Sequence, residues 1–208
     1  EALADPPQRD AAEVRTLDRI SVVILTAHRP QLLRRCLDSI AVAGAPCHIE
    51  ILVGCNDDAD THWWLRTTRP DIVAVALREP RLGAARNELL ERAEGQLIVF
   101  LDDDTVVPST FFVDLADLAR RHSDAAVFGG PNLAVPTAND FVCAQEMVLR
   151  SIHLGPVRNR FTPGAATRWS LCLCNLAVRS SLHARFDPRL TTGEETELLA
   201  RLTRNGHR

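Results

Sequence analysis

The 208-residue chain contains neither lysine nor tyrosine, and all 24 of its basic residues are arginine. Without lysine it cannot carry a Walker-type phosphate loop or form a Schiff base, so both kinds of chemistry are excluded. The lack of tyrosine excludes a phenolic acid or nucleophile. The chain also lacks an excess of positive charge: 27 acidic residues give it a net charge of −3. This balance argues against a nucleic-acid partner.

Long apolar runs and paired cysteines are also missing. No apolar run approaches the roughly 20 residues that cross a bilayer, so membrane contact is expected to be peripheral. No C-x-x-C pair occurs, and this argues against a zinc site. We therefore expect thiols in a reducing compartment, which predicts a cytoplasmic protein or one at the cytoplasmic face of a membrane. The cysteines concerned are Cys36, Cys47, Cys55, Cys143, Cys172 and Cys174.

Short β-branched runs alternate with amphipathic stretches along most of the chain. This alternation predicts an α/β fold, in which a mostly parallel, twisted sheet carries helices on both faces. The predicted strands cover residues 20–25, 49–53, 72–77, 97–101, 125–128 and 168–178. The predicted helices cover residues 32–40, 60–67, 83–93, 108–121, 137–152 and 193–204.

The pattern also suggests how the chain is organised. Residues 1–19 are polar and contain two adjacent prolines, so we expect a flexible N-terminal extension. Residues 20–208 are expected to form one domain. Within it, residues 20–131 resemble a Rossmann-like, nucleotide-binding half. Residues 132–208 are less regular and are expected to form the half that binds the second substrate.

The strongest chemical signal is a run of three carboxylates, Asp102, Asp103 and Asp104, at the end of the most apolar predicted strand. Ligands of open α/β sheets bind beyond the carboxyl ends of the strands. Adjacent carboxylates raise one another's pKa, and a hard divalent cation such as Mg²⁺ or Mn²⁺ relieves their repulsion. The alternative interpretation is a solvated acidic turn that caps a helix.

Three further features follow other predicted strands or begin predicted helices. The loop after the first strand carries His28 and Arg29, and an arginine there can bind a diphosphate. Arg86 and Asn87 are expected near the start of a helix whose amides favour anions. Glu194 and Glu195 begin the last predicted helix, where a carboxylate can serve as a general base. Taken singly, each feature is equally compatible with an ordinary capping loop or a solvated helix face.

In this order the motifs resemble those of the family 2 glycosyltransferases, which have the GT-A fold. The resemblance extends over residues 20–202 and rests mainly on F-L-D-D-D, on Arg86-Asn87 and on the G-E-E-T-E-L ending. It implies an inverting enzyme that uses Mn²⁺ or Mg²⁺ and a nucleoside-diphosphate sugar, with UDP as first choice and GDP or dTDP as alternatives. The acceptor would be a glycan, a lipid-linked molecule or a small molecule.

The resemblance also implies roles for individual residues. Glu195 would be the general base, and Glu194 would touch the acceptor or the donor sugar beside it. Asp104, together with Asp102, would hold the metal. The nucleotide or donor would contact Thr26, His28, Arg29, Asn56, Asp57, Asp58, Arg86, Asp102 and Asp103. The donor sugar and acceptor would lie near Gly130, Pro131, Asn175 and Trp169.

The chain departs from the family pattern at three positions. Cys55 stands where the family usually has an aspartate that contacts the base, Ala27 where an aromatic residue is common, and Glu195 where the base is usually aspartate. Two alternatives stay open beside this resemblance. One is a nucleotide-sugar binder without catalysis. The other is a phosphatase of the haloacid-dehalogenase type, since Asp102, Asp104 and Val106 fit its D-x-D-x-V pattern.

Overall fold

A computed structural model describes residues 17–79, 81–135, 139–149 and 171–207. These residues form a six-stranded sheet and six α-helices. The strands are β1 (Arg19–Thr26), β2 (His48–Asn56), β3 (Ile72–Leu77), β4 (Leu97–Asp102), β5 (Val127–Gly129) and β6 (Asn175–Arg179). The helices are α1 (Pro30–Val42), α2 (Ala59–Thr68), α3 (Leu82–Leu90), α4 (Phe111–Arg121), α5 (Asp140–Leu149) and α6 (Glu194–Arg204).

The sheet has the strand order β3-β2-β1-β4-β6-β5. The four strands from β3 to β4 are parallel, and β6 runs antiparallel between β4 and β5. The predicted mostly parallel sheet is thus confirmed. Strand β6 comes from the second half of the chain, so both halves contribute to one sheet.

Apolar side chains alternate between the two faces of the sheet, as the period of two in a strand requires. On β4, Val99 and Leu101 pack with α1, α2 and α4 on one face. Ile98 and Phe100 pack with α3 and α6 on the other face. Helices therefore cover both faces, as predicted. Strand β4 is buried on both sides, and this explains why its sequence is apolar throughout.

Several predicted boundaries are wrong by one to three residues: β2 ends at Asn56 instead of residue 53, and α3 at Leu90 instead of residue 93. Hydrogen bonds explain two further shifts. Helix α4 begins at Phe111 instead of Pro108, because the amide of Phe111 donates to the carbonyl of Pro108 in a tight turn before the helix. Strand β6 begins at Asn175, because the amide of Asn175 donates to the carbonyl of Cys172 in another turn. The residue at which that strand was predicted to begin, 168, lies outside the described residues, as do both ends of the helix predicted over 137–152.

Candidate functional site

The candidate site lies where the parallel strands β1, β2 and β4 end together. Leu25 on β1 is in register with Asp102 on β4, and Thr26 is in register with Cys55 on β2. The loops that follow these strands therefore start side by side at one edge of the sheet. This edge is where open α/β sheets bind their ligands.

Asp103 is the buried centre of the acidic turn, and its side chain is fully shielded from solvent. Its Oδ2 accepts a hydrogen bond of 2.7 Å from the Thr26 hydroxyl. Its Oδ1 lies 2.6 Å from Nη2 of Arg29. Burial raises the pKa of Asp103, although Thr26 and Arg29 oppose this shift. Asp103 thus joins the loop after β1 to the end of β4 from a position that is shielded from solvent.

Asp102 and Asp104 flank Asp103 and are about half exposed. Burial raises the pKa of Asp102, and the charges of Asp104 and Asp103 add to this effect while Arg86 opposes it. Asp104 Oδ2 lies 3.5 Å from Nη1 of Arg29. The three carboxylates therefore differ in environment: the outer two are available to a ligand and the middle one is held within the protein.

The loop after β2 is fixed by its own side chains. Asp58 is buried and caps α2, because its Oδ1 accepts from the amide of Thr61 at 3.1 Å. Its Oδ2 accepts from the amide of His28 at 2.7 Å. Burial alone would raise the pKa of Asp58, but these hydrogen bonds outweigh it and hold the pKa below its usual value. Asp58 is thus committed to joining two loops, and any contact it makes with a nucleotide would have to be shared with them.

His28, Asn56 and Asp57 take different positions around this loop. His28 has a left-handed backbone (φ 56°), and its side chain is largely exposed. The side-chain amide of Asn56 exchanges two hydrogen bonds with the backbone of Glu79, of 2.9 and 3.1 Å, and so closes the end of β3 onto β2. Asp57 is exposed and also has a positive φ, of 51°. His28 and Asp57 are therefore presented to solvent above the strand ends.

Cys55 occupies the position where the family pattern has an aspartate, and it is buried. Burial raises the pKa of its thiol to about 12, and the charge of Asp58 adds to the effect. Cys55 therefore packs as a small apolar group in the core cluster that contains Val53.

Arg86 and Glu194 form a buried ion pair between helices α3 and α6. Nη1 of Arg86 lies 2.6 Å from Oε1 of Glu194, and both side chains are less than 10% exposed. Nη2 of Arg86 also lies 4.0 Å from Asp102. Helix α3 begins at Leu82, so Arg86 and Asn87 lie in its second turn and not at its amino terminus. The expectation that they begin an anion-binding helix end is therefore wrong.

Asn87 anchors a segment that sequence analysis did not identify. Its side-chain amide donates to the carbonyl of Phe186 and accepts from the amide of Phe186, both at 2.9 Å. Gly83, one turn earlier, permits close packing, because a Cβ there would lie 3.1 Å from Cβ of Phe186. Phe186 packs edge-on against Phe100 of β4. Asparagine in an amphipathic helix gives no hint of a partner 99 residues away, so only the fold reveals this contact.

Helix α6 begins directly after Gly193, whose positive φ of 72° suits glycine. Glu194 and Glu195 are its first two residues. Glu194 points inward to Arg86, whereas Glu195 is partly exposed. The two adjacent glutamates thus face different environments, and Glu195 is the one that an incoming molecule can reach.

Residues of the expected acceptor side lie beside β5 and β6. Gly130 and Pro131 directly follow β5, and Asn175 begins β6, which pairs antiparallel with β5. Asn175 is also in register with Leu101 at the end of β4. These three residues are therefore close to the acidic turn. Trp169 lies outside the described residues.

The side chains present can supply only part of a metal site. Within residues 17–79, 81–135, 139–149 and 171–207, no group of three or more histidine, cysteine or acidic side chains is arranged to hold a metal ion. Asp104 offers an exposed carboxylate, and hard divalent cations prefer such oxygens. The donor set fits Mg²⁺ or Mn²⁺ only if most of the remaining ligands are water or oxygens of a bound molecule, as is common for Mg²⁺ with phosphates.

The mostly parallel sheet with helices on both faces, and with an acidic turn at the strand ends, is the α/β fold that GT-A glycosyltransferases have, and solved structures share it. TarS of S. aureus, crystallised with UDP, superposes with a TM-score of 0.63 over 87% of this chain and 54% of its own, at 18% identity. A mannosyltransferase of Pyrobaculum calidifontis, in complex with GDP-Man and Mn²⁺, superposes with a TM-score of 0.61. This superposition covers 94% of this chain and 55% of the mannosyltransferase, also at 18% identity.

Residues 21–164 match Glycosyl transferase family 2, and the chain belongs to that family. It is 30% identical over 117 residues to the succinoglycan biosynthesis protein ExoM of Rhizobium meliloti (strain 1021). The alignment covers 53% of this chain and 38% of ExoM. The chain is 28% identical over 128 residues to the O-antigen biosynthesis protein RfbC of Myxococcus xanthus. That alignment covers 55% of this chain and 9% of RfbC. The chain thus spans well under half the length of either relative. In the described part, no helix is long and apolar enough to cross a bilayer.

Proposed function

We propose that this chain transfers a sugar from a nucleoside-diphosphate sugar to an acceptor hydroxyl, with inversion at the anomeric carbon. The observation that carries the proposal is the half-exposed Asp102 and Asp104 at the end of β4. Arg29 lies beside Asp104, and Arg86 lies between Asp102 and Glu194 in the first turn of α6. Membership of Glycosyl transferase family 2 supports the reaction class. It also argues against a haloacid-dehalogenase-type phosphatase.

Residues 20–131 would bind the donor. His28, Asn56 and Asp57 would border the nucleoside, above the buried Thr26. Asp102 would contact the ribose and Arg29 the diphosphate. We expect UDP first and GDP or dTDP as alternatives, since the structural neighbours are solved with UDP and with GDP-Man. Asp104, assisted by Asp102, would hold Mn²⁺ or Mg²⁺. When bound, the divalent cation supplies Lewis-acid stabilisation of the leaving diphosphate.

Residues 132–208 would bind the acceptor and supply the base. Glu195 would accept the proton of the acceptor hydroxyl while that oxygen attacks the anomeric carbon from the face opposite the leaving diphosphate. One displacement of this kind inverts the anomeric centre and needs no covalent intermediate. A general base in this position accelerates a reaction by about 10²–10⁴-fold. Gly130, Pro131 and Asn175 would border the donor sugar and acceptor.

The acceptor would be a glycan, a lipid-linked molecule or a small molecule with a free hydroxyl. The similarity to a succinoglycan biosynthesis protein supports a glycan. A lipid-linked acceptor would bring the chain to the cytoplasmic face of a membrane as a peripheral protein.

The test is calorimetric titration with UDP, GDP and dTDP, each with and without Mn²⁺, on the parent chain and on Asp104→Asn. Asp38→Asn, which removes an exposed carboxylate in the third turn of α1, is the matched control. We expect one nucleotide to bind more tightly with Mn²⁺, and only Asp104→Asn to lose this gain. Failure of every nucleotide to bind under both conditions would contradict the proposal.

Turnover separates an enzyme from a binder. Glu195→Gln should keep nucleotide binding and lose transfer by about 10²–10⁴-fold. Proton NMR of the first product should show the anomer opposite to that of the donor. If the parent chain binds nucleotide sugars but neither transfers nor hydrolyses them, the non-catalytic alternative is correct.

A further inference from the structure

Arg29 places a positive charge beside the carboxylates of the acidic turn even when no ligand is bound. Its guanidinium extends to two carboxylates of the acidic turn: Nη2 is 2.6 Å from Asp103 and Nη1 is 3.5 Å from Asp104. Asp103 is fully buried and is itself held by the Thr26 hydroxyl. The buried carboxylate thus fixes one arm of the guanidinium, and the planar fork directs the other arm toward Asp104.

In this arrangement the Arg29 guanidinium and a bound metal ion would share one carboxylate, that of Asp104. A metal ion bound to Asp104 would lie within a few ångströms of the Arg29 guanidinium, and the two positive charges would repel each other. A diphosphate changes this balance, because its oxygens can accept hydrogen bonds from Arg29 and coordinate the metal at the same time. The same arginine therefore opposes the metal alone and favours the metal together with a diphosphate.

We propose that Arg29 is an internal counter-ion of Asp104 that makes the divalent cation enter with the diphosphate of the donor and not before it. The proposal rests on the proposed function, because it takes a nucleoside diphosphate and a divalent cation as ligands. It goes beyond that function by assigning an order of binding and the residue that imposes it. Asp103 is then a positioning residue that acts through Arg29.

The first measurement is Mn²⁺ binding without nucleotide, followed by the EPR signal of free Mn²⁺. Arg29→Met should bind Mn²⁺ about tenfold more tightly than the parent chain, because the competing charge is gone. Arg35→Met is the matched control, since it removes an exposed arginine of α1 that lies two turns from the site. It should leave the affinity unchanged within about twofold, because water and salt screen its charge.

The second measurement is binding of UDP, GDP and dTDP in EDTA. Arg29→Met should weaken metal-free binding of the preferred nucleotide by about tenfold, because its diphosphate loses a charged partner. Arg29→Lys keeps the charge without the fork, so it should lie between the parent and Arg29→Met in both measurements. It also provides a folded variant if Arg29→Met is too unstable, and circular dichroism checks both.

The outcomes are distinct. Tighter Mn²⁺ binding together with weaker metal-free nucleotide binding supports the proposal. The proposal is overturned if both Arg29→Met and Arg29→Lys bind Mn²⁺ no more tightly than the parent chain does. It is also overturned if neither variant binds Mn²⁺ in the absence of nucleotide. If no nucleotide binds to the parent chain under any condition, the proposed function fails. The nucleotide-free measurement still decides whether Arg29 competes with the metal for Asp104.

Discussion

Removing the charge of Glu194 should destabilise the protein far more than removing the charge of its neighbour Glu195. Glu194 and Arg86 are both nearly buried and lie 2.6 Å apart. Glu194→Gln leaves the guanidinium buried without its main partner, and breaking a buried pair in this way costs about 3–5 kcal/mol. Asp102, at 4.0 Å, and the amide oxygen of the new side chain retain part of the interaction. We therefore expect about 3 kcal/mol.

Glu195→Gln should behave in the opposite way. Glu195 is partly exposed, so water screens the interactions of its charge, and about 0.3–1 kcal/mol is typical of a carboxylate in the first turn of a helix. For a domain of this size, 1 kcal/mol changes the melting temperature by about 2–4 °C. Glu194→Gln should therefore lower it by about 6–12 °C and Glu195→Gln by no more than about 4 °C. Transfer activity should be lost mainly in Glu195→Gln.

The assay is thermal and urea unfolding of both variants at pH 7, followed by circular dichroism. The double variant Arg86→Met/Glu194→Leu is a useful third member, because replacing a whole buried pair with apolar groups is often nearly neutral. It should be more stable than Glu194→Gln. Equal melting temperatures for Glu194→Gln and Glu195→Gln would refute the burial argument. A large loss of stability in the double variant would show that the charges themselves are needed.

Three further predictions concern other residues of the chain. Asn87→Ala leaves both backbone groups of Phe186 without partners and should lower the free energy of unfolding by about 2–4 kcal/mol, measured with urea; a loss below about 1 kcal/mol would contradict this. Asp58→Ala should cost about 1 kcal/mol at pH 7. Hydrogen bonds outweigh burial and lower the pKa of Asp58, so its contribution is complete above the unfolded pKa of about 4 and is lost as the pH falls through the folded pKa. A series of urea melts below about pH 4 should therefore show the difference between Asp58→Ala and the parent chain shrinking as the pH falls. Iodoacetamide at pH 8 should modify the exposed Cys143 first and spare Cys36, as measured by mass spectrometry. Burial and the nearby aspartates raise the pKa of the Cys36 thiol to about 12, so only about 10⁻⁴ of it is thiolate at pH 8.

The repeating elements could be predicted because their signals are local. Strand β4 is five apolar residues and an aspartate, and a strand buried on both faces requires such a run. Helix α1 carries Leu33, Leu37 and Ile40 at helical spacing, and all three are buried. The start of α4 was predicted wrongly at Pro108, because proline suits a turn as well as the first turn of a helix.

The acidic turn could also be located from the sequence, because its place follows from the order of the strands. A carboxylate run after an apolar parallel strand must lie at the ligand-binding edge of the sheet. The composition was equally decisive in one respect: a chain without lysine excludes whole classes of phosphate and carbonyl chemistry whatever its fold.

The different roles of neighbouring residues were decided only by the tertiary structure. Asp103 and Asp104 are identical in the sequence, yet one is buried against Thr26 and Arg29 and the other is half exposed. Glu194 and Glu195 differ in the same way, because Arg86, 108 residues before Glu194 in the chain, is buried beside only one of them. The sequence by itself determined which chemical groups gather at the strand ends. Burial and pairing, which arise from contacts between distant segments, determined which of them can reach a ligand.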